Sequence, residues 1–141
     1  MDVISEIKRV LQTEIDALVA LSHSVDESFT DAINLLFSCS GKVVVIGMGK
    51  SGLIGQKIAA TMAATGTPAI FMHAGDGLHG DVGIVQRGDT ILAISKSGET
   101  DELLQLGSYF SHNNNKIILI TADSNSSLAK SADLVLFTPI D

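Results

Sequence analysis

One loop of this sequence combines hydroxyl side chains, a glycine and the start of a helix. Ser95-Lys96-Ser97-Gly98-Glu99-Thr100 carries two serines and a threonine, and the helical pattern that follows begins Asp101-Glu102-Leu103-Leu104. Hydroxyl donors, a backbone freed by glycine and the unpaired amides of a helix N-terminus together can bind a phosphate dianion. The alternative is an ordinary helix cap, in which Ser97 or Thr100 satisfies the first helical turn.

A second loop, Gly47-Met48-Gly49-Lys50-Ser51-Gly52, matches the dinucleotide-binding pattern G-x-G-x-x-G. A dinucleotide site also needs an acidic residue at the end of the next strand, where this chain has Met72-His73-Ala74. Gly49-Lys50-Ser51 is similar to part of a Walker A loop, but the first glycine of that motif would fall at Val44. Because neither nucleotide motif is complete, two Gly/Ser loops on neighbouring strands favour a phosphate site over a dinucleotide site or a helix cap.

The composition predicts one domain. A length of 141 residues with 45% hydrophobic content is enough to build a core. The net charge of -7 argues against a general affinity for nucleic acid or anionic membranes. No apolar run approaches the roughly 20 residues that span a bilayer, and the acidic N-terminus differs from a signal peptide, so we expect a cytoplasmic protein. The single cysteine, Cys39, has no Cys or His neighbours at ligand spacing, so no metal site is expected.

Alternating strand and helix patterns must position the two loops. Short apolar runs predict five strands, at Val43–Ile46, Ala69–Met72, Thr90–Ile94, Ile117–Ile120 and Leu134–Phe137, and the first of them is entirely β-branched. Helices are predicted at about Val3–Val19, Val25–Phe37, Gly52–Thr65, Thr100–Ser111 and Ser126–Ser131, whereas Leu78–Val85 has no clear pattern. This alternation predicts an α/β fold with three α-β-α layers, a doubly wound five-stranded parallel sheet and an N-terminal helical hairpin. Ligands bind at the carboxyl ends of such strands, where both loops fall.

The pair of loops resembles the signature loops of the sugar isomerase (SIS) domain. Within that family, three segments are similar to the arabinose-5-phosphate isomerases: Gly41–Gly52, Ala64–Pro68 and Leu78–Asp81. The resemblance covers about Gly41–Thr138. It implies a flavodoxin-like strand order, with residues 1–40 forming N-terminal helices that pack on the domain and residues 41–141 forming the SIS core.

The resemblance also implies an activity, the interconversion of D-ribulose 5-phosphate and D-arabinose 5-phosphate through a cis-enediol, which supplies the Kdo sugar of lipopolysaccharide or capsules. No cofactor is expected. The implied phosphate-binding residues are Ser51, Ser95, Lys96 through its amide, Ser97 and Thr100, and the implied catalytic residues are Lys50, His79 and Glu102. In this assignment Glu102 is the base, Lys50 stabilises enediolate charge, and His79 opens the sugar ring or relays protons.

Simpler roles are open for the three catalytic candidates. Glu102 suits the first turn of a helix, where an acidic side chain is favourable. Lys50 suits a solvated surface, and a lone histidine such as His79 is more often structural than catalytic. Asp81 either orients His79 or caps a turn. The alternative function is therefore a non-catalytic sugar-phosphate sensor of the SIS family.

Members of the family continue beyond the fifth strand to a Ser-His-Pro-Gly segment, whose histidine is thought to act in catalysis. This sequence stops at Asp141, so we expect it to hold most of the phosphate site but an incomplete catalytic set. Active sites of the family form between subunits, and the resemblance therefore implies a homo-oligomer, a dimer or a tetramer. The expected partners are a sugar phosphate and further copies of the chain, with no nucleic acid and no membrane.

Overall fold

The five short apolar runs form five parallel strands, and helices connect them. A computed structural model describes residues 2–139. The strands are β1 (Val43–Gly47), β2 (Ala69–His73), β3 (Thr90–Ile94), β4 (Lys116–Thr121) and β5 (Leu134–Phe137). The α-helices are α1 (Val3–Ser24), α2 (Glu27–Phe37), α3 (Gly49–Ala64), α4 (Ala74–Leu78), α5 (Asp101–His112) and α6 (Ser127–Ser131), and a 3-10 helix covers Asp81–Ile84. The order β2-β1-β3-β4-β5 confirms the predicted doubly wound, flavodoxin-like sheet.

The central strands are buried on both faces because their side chains alternate between two helical layers. Val44 and Ile46 of β1 share a core with α4, α5 and α6, whereas Val43 and Val45 share a second core with α2 and α3. This arrangement confirms the three α-β-α layers. Gly47 of β1 is in register with the last residues of β2 and β3, so these three strands end at one level and their following loops meet at one edge.

Helix α3 begins earlier than the sequence predicts. It starts at Gly49 rather than at about Gly52, which places Lys50 in its first turn. Gly49 has a φ of +53°, in the left-handed region that glycine tolerates, so the chain turns from strand to helix within two residues. A Cβ on Gly52 would lie 3.3 Å from the carbonyl oxygen of Gly47. The glycine pattern is therefore explained by a tight turn and close packing of α3 on β1.

The two N-terminal helices differ in their packing. Helix α2 contributes Ala32 to the core that contains α3, whereas α1 buries none of its 22 residues. Helix α1 thus departs from the expectation that residues 1–40 pack on the domain. Five of its exposed apolar side chains recur at three- and four-residue steps and form what we call the α1 stripe: Ile4, Ile7, Leu11, Ile15 and Leu18. Within residues 2–139, no helix combines the length and the apolar character needed to cross a bilayer.

A buried ion pair joins the amino-terminal ends of β1 and β3. Asp89 is 3% exposed, and its carboxylate accepts hydrogen bonds from Lys42 Nζ at 2.6 Å, Lys42 N at 2.9 Å and Gln86 N at 2.8 Å. Burial acts to raise the pKa of Asp89, but these hydrogen bonds and the charge of Lys42 outweigh it. The pKa of the carboxyl therefore lies below its ordinary value of 3.8.

We expect this ion pair to make the folded state sensitive to acid. Because the pKa of Asp89 is lower in the folded state, the stabilisation is complete above about pH 4 and is lost as the pH falls through the folded value. Asp89→Asn should lower the free energy of unfolding by about 3 kcal/mol at neutral pH. The difference between parent and variant should shrink below about pH 4. Thermal unfolding followed by circular dichroism across this range checks the prediction, and a difference that does not change with pH would contradict it.

Candidate functional site

The two predicted loops lie side by side at the carboxyl ends of β1 and β3. These strands are neighbours in the sheet, yet α3 packs on one face and α5 on the other. Their divergence opens a crevice where doubly wound sheets bind ligands. A cleft of about 460 Å³ occupies this crevice, lined by Met48, Ser51, Ile94, Ser95, Lys96, Ser97, Thr100, Leu103 and Ala122. The five residues predicted to bind phosphate are all among them, and we call residues 95–100 the phosphate loop.

Both helices that begin at this cleft lack a side-chain cap. The N-cap residues are Thr100 for α5 and Met48 for α3, and neither side chain accepts a hydrogen bond from its helix. The alternative in which Thr100 caps α5 is therefore wrong. The other four described α-helices are capped by side chains, those of Asp2, Asp26, His73 and Ser126. Because first-turn amides have no acceptor within a helix, those of α3 and α5 are available to an anion in the cleft.

The hydroxyls of the phosphate loop are positioned by the loop itself. Ser95 Oγ accepts a hydrogen bond from Gly98 N at 3.0 Å and lies 3.3 Å from Thr100 Oγ1. Ser97 Oγ accepts a hydrogen bond from Glu99 N at 3.2 Å, outside helix α5. A hydroxyl that accepts such a bond can still donate its own proton. The loop therefore presents hydroxyl donors to the cleft, and Ser51 adds another from the first turn of α3.

Gly98 permits the shape of the phosphate loop. Its φ is +63°, which a residue with a Cβ adopts only with strain. A Cβ at this position would also lie 2.0 Å from Ser126 Oγ and 2.5 Å from Ser126 Cβ. Both the backbone angle and the available space therefore require glycine, and the loop packs directly against the residue that precedes α6.

Positive charge near the cleft is not neutralised by ion pairs. The ion pairs of the described chain are Arg9 with Glu6, Lys42 with Asp89, and Lys116 with Asp133. Within residues 2–139, Lys50 and Lys96 thus have no carboxylate partner. A site for an anion is compatible with the net charge of -7, because local charge placement decides the local potential.

Two of the predicted catalytic residues flank the cleft without lining it. Lys50 lies in the first turn of α3, next to Ser51, and Glu102 lies in the first turn of α5, next to Leu103. Glu102 is partly buried and Lys50 is exposed. Each therefore immediately precedes a lining residue, on one of the two helices that begin at the cleft.

His79, the third predicted catalytic residue, neither lines the cleft nor lies next to a residue that does. It is exposed at the C-terminal end of α4, which packs on α5 through Gly77 and Leu106. A second cleft of about 560 Å³ lies beside β2, and its lining includes Asp81 but not His79. Among residues 2–139, no three His, Cys, Asp or Glu side chains are grouped so that they could hold a metal ion.

Four apolar residues of the cleft were not predicted: Met48, Ile94, Leu103 and Ala122. Leu103 is only 1% exposed, and its helical spacing indicates a core position, so the pattern gives no sign that it also borders a cleft. Ala122 follows the end of β4 directly. The rule that ligands bind beyond the carboxyl ends of strands points to this position, but it does not assign the alanine a role.

The chain matches characterised proteins over most of its length. A sequence profile of the SIS domain matches residues 36–141. The chain is 50% identical over 131 residues to the arabinose 5-phosphate isomerase KdsD of Yersinia pestis, covering 92% of this chain and 39% of that protein. It is 44% identical over 134 residues to the arabinose 5-phosphate isomerase KpsF of Escherichia coli O6:H1, covering 94% of this chain and 41% of that protein. The chain thus spans about two fifths of the length of these relatives.

A solved structure extends the likeness to three dimensions. The structure of E. coli CFT073 c3406 in complex with arabinose 5-phosphate superposes with a TM-score of 0.88 at 40% sequence identity. The superposition covers 100% of this chain and 77% of that chain. The similarity therefore includes the sheet, the helices and both loops of the cleft.

Proposed function

The chain belongs to the SIS domain family, and from this premise we propose that it carries the sugar-phosphate site of an arabinose 5-phosphate isomerase. The reaction interconverts D-ribulose 5-phosphate and D-arabinose 5-phosphate without a cofactor, in the biosynthesis of Kdo for lipopolysaccharide or capsules. Support comes from relatives of that name at 50% and 44% identity and from a structural relative in complex with arabinose 5-phosphate.

The two uncapped helices at the cleft are the observation that carries this proposal. A side-chain cap stabilises a helix by about 1 kcal/mol, and among the α-helices of residues 2–139 only α3 and α5 have none. Both begin at the same cleft, next to the hydroxyls of Ser51 and the phosphate loop. A bound phosphate supplies the missing acceptor to both helices at once. The cleft therefore suits the phosphate end of a sugar phosphate.

Binding of the phosphate decides where the reacting carbons lie. With the C5 phosphate held in the cleft, the open-chain sugar extends toward the residues that flank it. Glu102 takes a proton from C2 of arabinose 5-phosphate, or from C1 of ribulose 5-phosphate, and returns it to the neighbouring carbon. Lys50 stabilises the negative charge on the enediolate oxygens. His79 opens the sugar ring or moves a proton between these oxygens.

Turnover tests the proposed function. Because the chain spans about two fifths of its relatives, it is joined to the segment that follows the matched region in the Yersinia pestis protein; we call this protein the extended chain. It is incubated with D-ribulose 5-phosphate, and D-arabinose 5-phosphate is detected by NMR. Binding of both sugar phosphates without turnover would favour the sensor. Thermal stabilisation by NAD, without a response to sugar phosphates, would favour a dinucleotide-binding domain.

We also infer a homo-oligomer, a dimer or a tetramer, that buries the α1 stripe. An isolated helix is marginally stable in water without tertiary packing, and α1 has no buried residue within its own chain. A second copy presents the same stripe and can cover it. Helix α3 carries two further exposed apolar side chains, Leu53 at 66% and Ile54 at 58%. They follow Lys50 and Ser51 on the same helix, so a contact there would bring a partner subunit close to the cleft.

We expect Leu11→Glu to weaken self-association by at least about tenfold, because it places a charge in the middle of an apolar contact. The sheet and the cleft should stay folded, since α1 contributes nothing to their core. Thr13→Glu adds the same charge on the opposite side of α1 and should leave the assembly unchanged. Sedimentation velocity of the three proteins measures the effect. Equal association of Leu11→Glu and Thr13→Glu would show that the stripe is not the contact.

A further inference from the structure

We propose that residues 121–128, which run from the last residue of β4 to the first turn of α6, hold the phosphate loop in its binding shape, and that Glu99 and Thr121 are positioning residues. We call residues 121–128 the clamp segment. This inference rests on the proposed function, because the two residues act through the phosphate loop and not on the reacting carbons. Neither residue is among those that the loop motif itself assigns to phosphate binding.

The clamp segment occupies two carbonyl groups of the phosphate loop. The Lys96 carbonyl accepts hydrogen bonds from Thr121 Oγ1 at 3.1 Å and from Ala122 N at 3.0 Å. The Gly98 carbonyl accepts one from Leu128 N at 3.1 Å. In a trans peptide the carbonyl and the next amide point in opposite directions. The Lys96 carbonyl points to the clamp segment, so the N–H of Ser97 in the same peptide points away from that segment. In this direction it can donate a hydrogen bond to phosphate.

Glu99 would oppose phosphate binding if its carboxylate faced the cleft. Its Oε1 atom instead accepts a hydrogen bond from Ser127 N at 2.7 Å, and Glu99 is not among the residues that line the cleft. This bond connects the exposed side of the loop to the first residue of α6. It both keeps a negative charge away from the ligand and fixes the loop against the clamp segment.

Thr121 connects the two segments from the buried side. It is 1% exposed, and its hydroxyl donates to the Lys96 carbonyl while accepting a hydrogen bond from Asp123 N at 3.2 Å. Serine can make both bonds, whereas valine has the shape of threonine but no hydroxyl. Together with the packing of Gly98 on Ser126, these contacts fix the loop before any ligand arrives, and such preorganisation strengthens binding.

Isothermal titration calorimetry tests the positioning role of Glu99. It measures the binding of inorganic phosphate and of D-arabinose 5-phosphate to the 141-residue chain. We expect Glu99→Ala to weaken both ligands by the same factor, about tenfold. Glu99→Gln keeps the acceptor oxygen and should bind within about twofold of the parent. Asp101→Ala removes a neighbouring carboxylate that makes no bond to the clamp segment, and it should not weaken binding.

The same titrations test Thr121. We expect Thr121→Val to weaken phosphate binding about tenfold, whereas Thr121→Ser should bind phosphate as the parent does. In the extended chain these losses should appear as a raised KM with kcat nearly unchanged, because Glu102 is untouched. Equal binding by Glu99→Ala and Glu99→Gln, together with equal binding by Thr121→Val and Thr121→Ser, would overturn the positioning role alone. A parent chain that binds neither ligand would overturn the proposed function as well.

Discussion

Glu102→Gln in the extended chain is expected to lower kcat for isomerisation by about a thousandfold. Glutamine has nearly the same shape as glutamate, but it cannot take a proton from carbon. KM should change little, because Glu102 does not line the cleft that we propose binds the phosphate. Initial rates over a range of D-ribulose 5-phosphate concentrations separate the two constants. Exchange of the C1 proton of the substrate in deuterated water gives an independent measure, and it should fall together with kcat.

The matched control is Glu99→Gln, the same chemical change within the phosphate loop. Its carboxamide can still accept the hydrogen bond from Ser127 N, so kcat should stay within about twofold of the parent value. A Glu102→Gln protein with parent-like kcat and proton exchange would show that another group is the base. In that case Glu102 would be a favourable charge in the first turn of α5 and nothing more.

Gly98→Ala should abolish most phosphate binding, with affinity for D-arabinose 5-phosphate lowered by about a hundredfold. The added methyl group meets Ser126 Oγ at 2.0 Å, so either the phosphate loop or the start of α6 must move. Left-handed backbone at alanine costs about 1 kcal/mol, and overpacking costs about 1–3 kcal/mol more. We therefore expect the free energy of unfolding to fall by about 2–4 kcal/mol. Calorimetric titration and urea unfolding measure the two effects.

Two further variants separate the causes of this loss. Gly66 has a φ of +98° with nothing within 4 Å of an added Cβ, so Gly66→Ala introduces backbone strain without a clash and without loss of binding. Ser126→Gly removes the side chain that an alanine at position 98 would meet. The double variant Gly98→Ala/Ser126→Gly should bind the sugar phosphate more tightly than Gly98→Ala alone. Parent-like binding by Gly98→Ala would show that the close packing of the loop is not needed.

Burial on both faces makes the strands of this fold predictable. A parallel strand covered by helices on each side excludes polar residues, so a short β-branched run such as Val43–Ile46 is a sufficient signal. Helix α4 lacks such a signal, because its sequence Ala74–Leu78 contains two glycines and an aspartate. It packs through Gly77, which lies against Leu106 of α5. That contact joins residues distant in the chain, and local propensity cannot reveal it.

The residue types of the phosphate loop suffice to predict which residues belong to it. They do not predict the contacts that hold the loop in position. Thr121 and Lys96 are 25 residues apart, and threonine at the end of a strand has no pattern that names its partner. The absence of caps on α3 and α5 is equally hidden, since Thr100 is a good cap by type. The amphipathic pattern of α1 is the same whether its apolar side packs within the chain or on another copy. In each case the outcome depends on tertiary or quaternary structure, which the local sequence does not reveal.

The packing of α1 has a consequence for how this protein can change over time. A helix with no buried residue in its own domain can accept substitutions that leave the sheet and the cleft intact. Under the proposed function, residues 3–24 and the strand-end loops are therefore separate targets for selection, the first for the proposed oligomer and the second for ligand affinity. Protein engineers can use the same separation to alter the proposed oligomer through one helix while the proposed phosphate site is kept constant.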